Sequence, residues 1–124
     1  MKTLKRTRNA QVTVALAVAV GLVAGKTTKF GASGLRGVLI TDRATAATIA
    51  DGTSAPGLKD GEATCELLGV HITVKVPFAA AIAQFAPVFI DDNSEYTAVA
   101  DDNTQVGVTL QALAGAGTAE VALF

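Results

Sequence analysis

Cysteine occurs once in this chain, at Cys65, tryptophan not at all, and histidine, tyrosine and methionine once each. A single cysteine excludes an internal disulfide and a thiolate metal cluster. Set between Thr64 and Glu66, it reads as a small core residue rather than a reactive thiol. With no tryptophan and one tyrosine, binding of single-stranded nucleic acid by base stacking has almost no platform. His71 stands alone, and no serine or cysteine lies at a spacing that suggests a nucleophilic triad. Neither sign of charge is in excess; the formal net charge of −1 implies no polyanionic partner. The longest apolar run, residues 12–24, falls short of the roughly 20 residues that a bilayer-spanning helix needs.

What is present is small apolar side chains. Half of the 124 residues are hydrophobic but only 5% are aromatic, so the core is built from alanine and β-branched residues. The clearest stretch is 68–76. Val70, Ile72, Val74 and Val76 fall on one face, and His71, Thr73 and Lys75 on the other. That strict period of two predicts a half-buried strand, ended by Pro77, which cannot donate the next ladder bond. Further strands are expected at residues 11–20, 27–30, 35–42, 47–50, 62–76 with a bulge or kink at Gly69, 87–90, 95–100, 105–113 and 119–124. Asp60-Gly61, residues 91–94, residues 101–103 and residues 115–117 are the turns between them. Phe78, Ile82 and Phe85, at i, i+4 and i+7 among alanines, predict one short helix. Residues 43–59 form a long excursion, of the kind that often carries contacts. The pattern is all-β, a small barrel or sandwich.

The ends of the chain differ in charge. Lys2, Lys5, Arg6 and Arg8 place four of the ten cations in the first eight residues, leaving six cations against eleven acids. A basic arm, residues 1–10, therefore precedes an acidic body, residues 11–124. The arm is either a solvated tail or a segment that docks on an acidic partner surface. Residues 1–25 also imitate a signal peptide. Large and small residues alternate across 11–20, however, which a strand requires and a signal segment does not, so the segment is expected to stay in the folded protein.

Two stretches invite a chemical reading. Residues 21–27 resemble a phosphate-binding loop, but three residues separate Gly21 from Gly25-Lys26-Thr27 where that loop needs four, and Thr28-Lys29-Phe30-Gly31 is a poor helix start. Asp91-Asp92-Asn93 and Asp101-Asp102-Asn103 suggest calcium. Placed at opposite ends of one strand, about 20 Å apart at 3.3 Å per residue, they are expected to be two hairpin turns rather than one ion site. The sequence thus offers no catalytic, cofactor-binding or metal-binding residue set.

Taken together, Asp60-Gly61-Glu62, Leu68-Gly69-Val70, the proline-ended strand, residues 83–91, Asn103 to Val108 and Thr118 to Leu123 resemble the DUF2190 type of small phage head proteins. Gly37 to Asp42 fits that family's early strand. The resemblance covers about residues 11–124; the basic arm and the 43–59 excursion exceed its usual pattern. It implies a compact β-barrel or β-tulip-like domain that decorates, or cements, the outer surface of an icosahedral bacteriophage head. It also implies the major capsid protein as partner, a homo-oligomer with a trimer favoured, synthesis in the bacterial host cytoplasm, and no cofactor, nucleic acid or membrane. On this reading Lys2, Lys5, Arg6 and Arg8 form a capsid-contact arm. The alternatives are another virion structural β-protein, such as a tail or head-completion component, and a small β-barrel enzyme that uses Lys26 and Thr27.

Overall fold

The computed structural model describes residues 12–124 and, as backbone, residues 4–6. Strands take 43% of the chain and helix 4%, in two antiparallel sheets, one of them curled as a half-barrel. The described residues thus form a small all-β protein with one short helix. In chain order the elements are β1 (Leu4–Arg6), β2 (Val12–Ala17), β3 (Thr27–Phe30), β4 (Leu35–Leu39), α1 (Ala46–Ala50), β5 (Glu62–Leu67), β6 (Ile72–Phe78), β7 (Pro87–Ile90), β8 (Tyr96–Thr97), β9 (Thr104–Thr109) and β10 (Gly117–Leu123). They gather into two compact units.

One unit contains Gly69–Phe124 and is built on a six-stranded sheet of order β1-β6-β10-β9-β7-β8. The valine alternation is its centre. Val74 pairs with Val121, Val76 with Ala119 and Ile72 with Leu123 across β6 and β10. Val74, Val76, Val88 and Val121 form a buried cluster flanked by Ile72, Phe78 and Leu123. On the opposite face His71 and Lys75 are exposed as expected, but Thr73 is buried. Its hydroxyl donates to Glu120 Oε1 at 2.8 Å, which satisfies a group that would otherwise be costly to bury. Pro77 lies within β6, opposite Thr118, instead of ending it. It sits past the stretch of β6 that β1 covers, in keeping with proline's confinement to positions that need no ladder donor. β9 and β10 approach closely at Gly107, where an added Cβ would overlap the Ala122 carbonyl oxygen and come within 3.0 Å of Leu123 Cδ2.

The other unit contains Arg36–Leu68 and is built on a four-stranded sheet of order β2-β5-β4-β3. Ala63, Cys65 and Leu67 are the buried positions of β5, and Leu39 stands opposite Cys65. β2 ends at Ala17 rather than Val20, whose side chain is 84% exposed. The 43–59 excursion is tied back to the sheet. Arg43 Nε donates to the Val18 carbonyl at 3.1 Å, Ala44 N–H donates to the Glu62 carbonyl and Gly61 N–H to the Ala44 carbonyl, each at 2.8 Å, and Leu58 is buried.

Two further expectations are overturned. Residues 78–85 do not form a helix: Phe78 ends β6, and the next turn bonds to β9 and its extension. Ile82 and Leu113 exchange N–H···O bonds of 3.0 and 2.8 Å, and Phe85 N–H donates to the Thr109 carbonyl at 2.9 Å. The fully buried Thr109 donates its hydroxyl to the Ala83 carbonyl at 2.7 Å and accepts from Ala86 N–H at 3.0 Å. Donors that a helix would use four residues back are spent across the chain instead. The helix lies at Ala46–Ala50, where a strand was expected. Thr45 and Thr48 cap it reciprocally: Thr45 Oγ1 accepts from Thr48 N–H at 3.2 Å and Thr48 Oγ1 from Thr45 N–H at 2.8 Å. The expected strand 62–76 is broken at Gly69, which takes φ +72°, a conformation glycine adopts without steric cost.

Candidate interaction surfaces

Of the four arm cations, Lys2 and Arg8 lie outside the described residues. Lys5 and Arg6 belong to β1, which pairs antiparallel with β6 in the register Leu4 with Val74, Lys5 with Thr73 and Arg6 with Ile72. This part of the arm is an edge strand of its own sheet.

The phosphate-loop imitation has a different geometry. Gly25 N–H donates to the Leu39 carbonyl at 2.8 Å and Lys26 N–H to the Val23 carbonyl at 3.2 Å. Thr27 opens a strand, not a helix. The amides that would cradle a phosphate are already engaged within the protein.

The two Asx triplets are turns, but not at opposite ends of a strand. Asp91 Oδ1 accepts from Asn93 N–H at 2.9 Å and Glu95 N–H at 3.0 Å; Asn103 N–H donates to the Ala100 carbonyl at 2.7 Å. Ile90 is the register partner of both Tyr96 and Thr104. Asp91, directly after Ile90, and Asn103, directly before Thr104, therefore stand at the same end of the sheet. The expected separation fails because β8 is only two residues long and the chain doubles back. Among the described residues no three of His, Cys, Asp and Glu gather as a metal-binding group.

Burial pushes the Cys65 thiol above its ordinary pKa; with its side chain enclosed and Sγ 3.6 Å from the Ala63 carbonyl, it is a core residue. The Thr53 hydroxyl, 2.6 Å from Asp51 Oδ1, and then the Thr53 amide hold the Asp51 carboxyl below its usual value. Asp51 adjoins an open, hydroxyl-rich hollow lined by Thr41, Arg43, Thr48, Thr53 and Ser54. Its polar groups are largely structural: Thr48 bonds Thr45, Thr53 bonds Asp51 and Arg43 bonds Val18.

Apolar surface is distributed differently. In the six-stranded unit an open hollow of about 350 Å³ is lined by Phe78, the alanines 79–81, Ile82, Tyr96 and Val99. Tyr96 and Val99 are 40% and 52% exposed. The hollow runs along β8, which among the described residues is the sheet's last strand, paired with β7. In the four-stranded unit Val20, Val23 and Ile40 are exposed, with the 22–26 segment bonded to 39–43. Sequence reasoning missed these features because they arise from side chains brought together by register; the alanine run at 79–81 was the available signal. No helix among the described residues is long and apolar enough to cross a membrane.

Comparison with family models, with curated proteins and with solved structures finds no match.

Proposed function

We propose that this chain is a bacteriophage capsid decoration protein, which binds the outside of the mature icosahedral head and stabilises it through protein–protein contacts. The observation that carries the reading is the order and spacing of the segments that resemble the DUF2190 type. Those segments are the frame of the molecule: the Gly61 turn, β5, the Gly69 break, β6, the approach to β7, β9 and β10. A cement function is consistent with a body of this kind, because it asks for rigid strands and an outer surface, not for converging ionisable groups. Binding that favours the mature lattice stabilises that lattice by mass action. The major capsid protein is the partner this reading names, and the virion surface the location.

The test is a comparison of heads assembled with and without the chain. Decorated heads withstand heating or osmotic shock that opens undecorated ones. Equal resistance refutes the reading, and a copy number of six or twelve per particle, rather than hundreds, assigns the chain to a connector instead.

A further inference from the structure

The six-stranded sheet ends in one strand that carries cations and another that is flanked by acidic turns. At one edge is β1, with Lys5 and Arg6 in its three residues. At the other is β8, bounded by the turns that hold Asp91, Asp92, Glu95, Asp101 and Asp102. Gly69–Phe124 has six carboxylates against a single cation, Lys75, and Lys75 lies on β6 beside Glu120 in the register, not at the acidic edge.

The two charged edges are also level with each other. Across the sheet, Arg6 pairs with Ile72, Ile72 with Leu123, Leu123 with Gly107 and Gly107 with Val88. Val88 is two residues from Ile90, the partner of Tyr96 in β8. Basic and acidic edges therefore share one end of the sheet. Strand directions agree as well. Every pairing is antiparallel, so β1 and β8 run in opposite directions, and a β1 laid beside a neighbour's β8 continues the antiparallel alternation.

We propose that copies of this chain associate edge to edge and head to tail, the β1 edge of one beside the β8 edge and acidic turns of the next. The occupant of the acidic edge is a second copy because this chain's own other edge supplies the complementary charge at the same height. A two-fold contact pairing β1 with β1, or β8 with β8, sets like charges together and is disfavoured. A rotation about an axis along the strands joins unlike edges, and such heterologous contacts close into a ring. Among the described residues β1 and β8 are the outermost strands of the sheet, the position at which main-chain pairing with another copy adds a strand, and the alanine-lined hollow along β8 offers apolar area beside it. The acidic surface sought for the arm is thus on the chain itself. This inference goes beyond the decoration reading and does not depend on it.

Sedimentation of the full chain, over a range of concentrations in low and high salt, tests the proposal. Two double variants are compared, Asp92→Lys/Asp102→Lys and Lys5→Glu/Arg6→Glu. Asp92 and Asp102 are exposed turn residues, so the first variant keeps the fold even where the second disturbs β1, and far-ultraviolet circular dichroism checks both. The wild type associates at low salt and dissociates as salt screens the edges. Each variant alone associates roughly tenfold more weakly or worse, since favourable exposed pairs become repulsive. An equimolar mixture of the two regains association, because each then presents the charge the other has lost. A wild type that remains monomeric at low salt overturns the proposal. So does association indifferent to both variants, a mixture that fails to recover, or an arm whose reversal alters attachment to phage heads but not contact between copies.

Discussion

Thr109→Val is the sharpest test of how the turn before β7 is held. Valine matches threonine closely in volume, so no cavity arises at this enclosed position, and the change isolates the hydroxyl. That hydroxyl serves two backbone groups, donating to Ala83 at 2.7 Å and accepting from Ala86 at 3.0 Å. Removing it forfeits two hydrogen bonds and leaves a carbonyl and an amide without those partners, a loss of about 2–4 kcal/mol. Against a total stability of about 5–15 kcal/mol for a typical native protein, that is a large share. Urea denaturation followed by far-ultraviolet circular dichroism should show the midpoint falling by about 1–2 M at unchanged slope. Thr118→Val, at an exposed position of β10, is the control and should change stability by less than about 0.5 kcal/mol. Native-state hydrogen exchange at Ala86 adds a local reading, since its amide loses its acceptor. A midpoint within error of wild type, with the Ala86 amide still protected, refutes the account of why residues 78–85 are not helical.

The remaining predictions concern single sites. Gly107→Ala should destabilise the chain by about 2–3 kcal/mol or more, since overpacking here meets backbone that cannot move aside; Gly115→Ala, with open space around its Cβ, should be near neutral by the same urea assay. Cys65 should react with iodoacetamide only as the chain unfolds, and labelling of the native protein at the rate of a free thiol refutes its burial. Its raised pKa contributes stability that is complete below the unfolded thiol value of about 8.5 and is lost as pH rises through the folded value. The alkaline fall in the urea midpoint should therefore be shallower in Cys65→Ala. Thr53→Val should return the Asp51 carboxyl toward its ordinary value in an NMR pH titration. In the wild type the contribution of that turn is present above the unfolded carboxylate pKa and fades as pH falls through the lowered folded value.

Among the strands that sequence reasoning located, β5, with Ala63, Cys65 and Leu67, and β6, with Val74 and Val76, are the ones read from apolar residues spaced two apart; β3 and β7 were placed by the turns that flank them. Local pattern suffices in β5 and β6 because one face is buried. Residues 78–85 were misread because an i, i+4, i+7 spacing gives a helix an apolar stripe, while the backbone groups there are held instead by β9 and by the Thr109 hydroxyl some 25 residues away, for which the local pattern has no signal. Helix α1 escaped for the opposite reason. None of its residues is buried, so it has no apolar stripe, and its one mark is a Thr-x-x-Thr cap without the usual Glu or Gln. The acidic turns were legible as turns, but their meeting at one end of the sheet depends on Ile90 pairing with both Tyr96 and Thr104. Cross-strand register of that kind is not written in either segment alone. For the same reason the arm's cations were found and the β6 edge on which Lys5 and Arg6 lie was not.

The charges at the sheet edges have a plainer explanation that must be weighed against head-to-tail contact. Exposed edge strands invite aggregation, and proteins blunt them with charge and with short strands. β8, only two residues long between acidic turns, fits that defence. But charges that only keep copies apart work best when both edges carry the same sign. Here the edge strand that contains Lys5 and Arg6 and the edge bounded by the acidic turns lie at the same end of the sheet and differ in sign, so each edge repels its own kind and attracts its opposite. Lys5→Glu/Arg6→Glu separates the two accounts without reference to phage particles. If the charges are only protective, making both edges acidic leaves a monomer that was already a monomer. If they direct assembly, the variant stays dispersed at concentrations where light scattering shows the wild type associating, and adding the basic-edged partner variant brings association back.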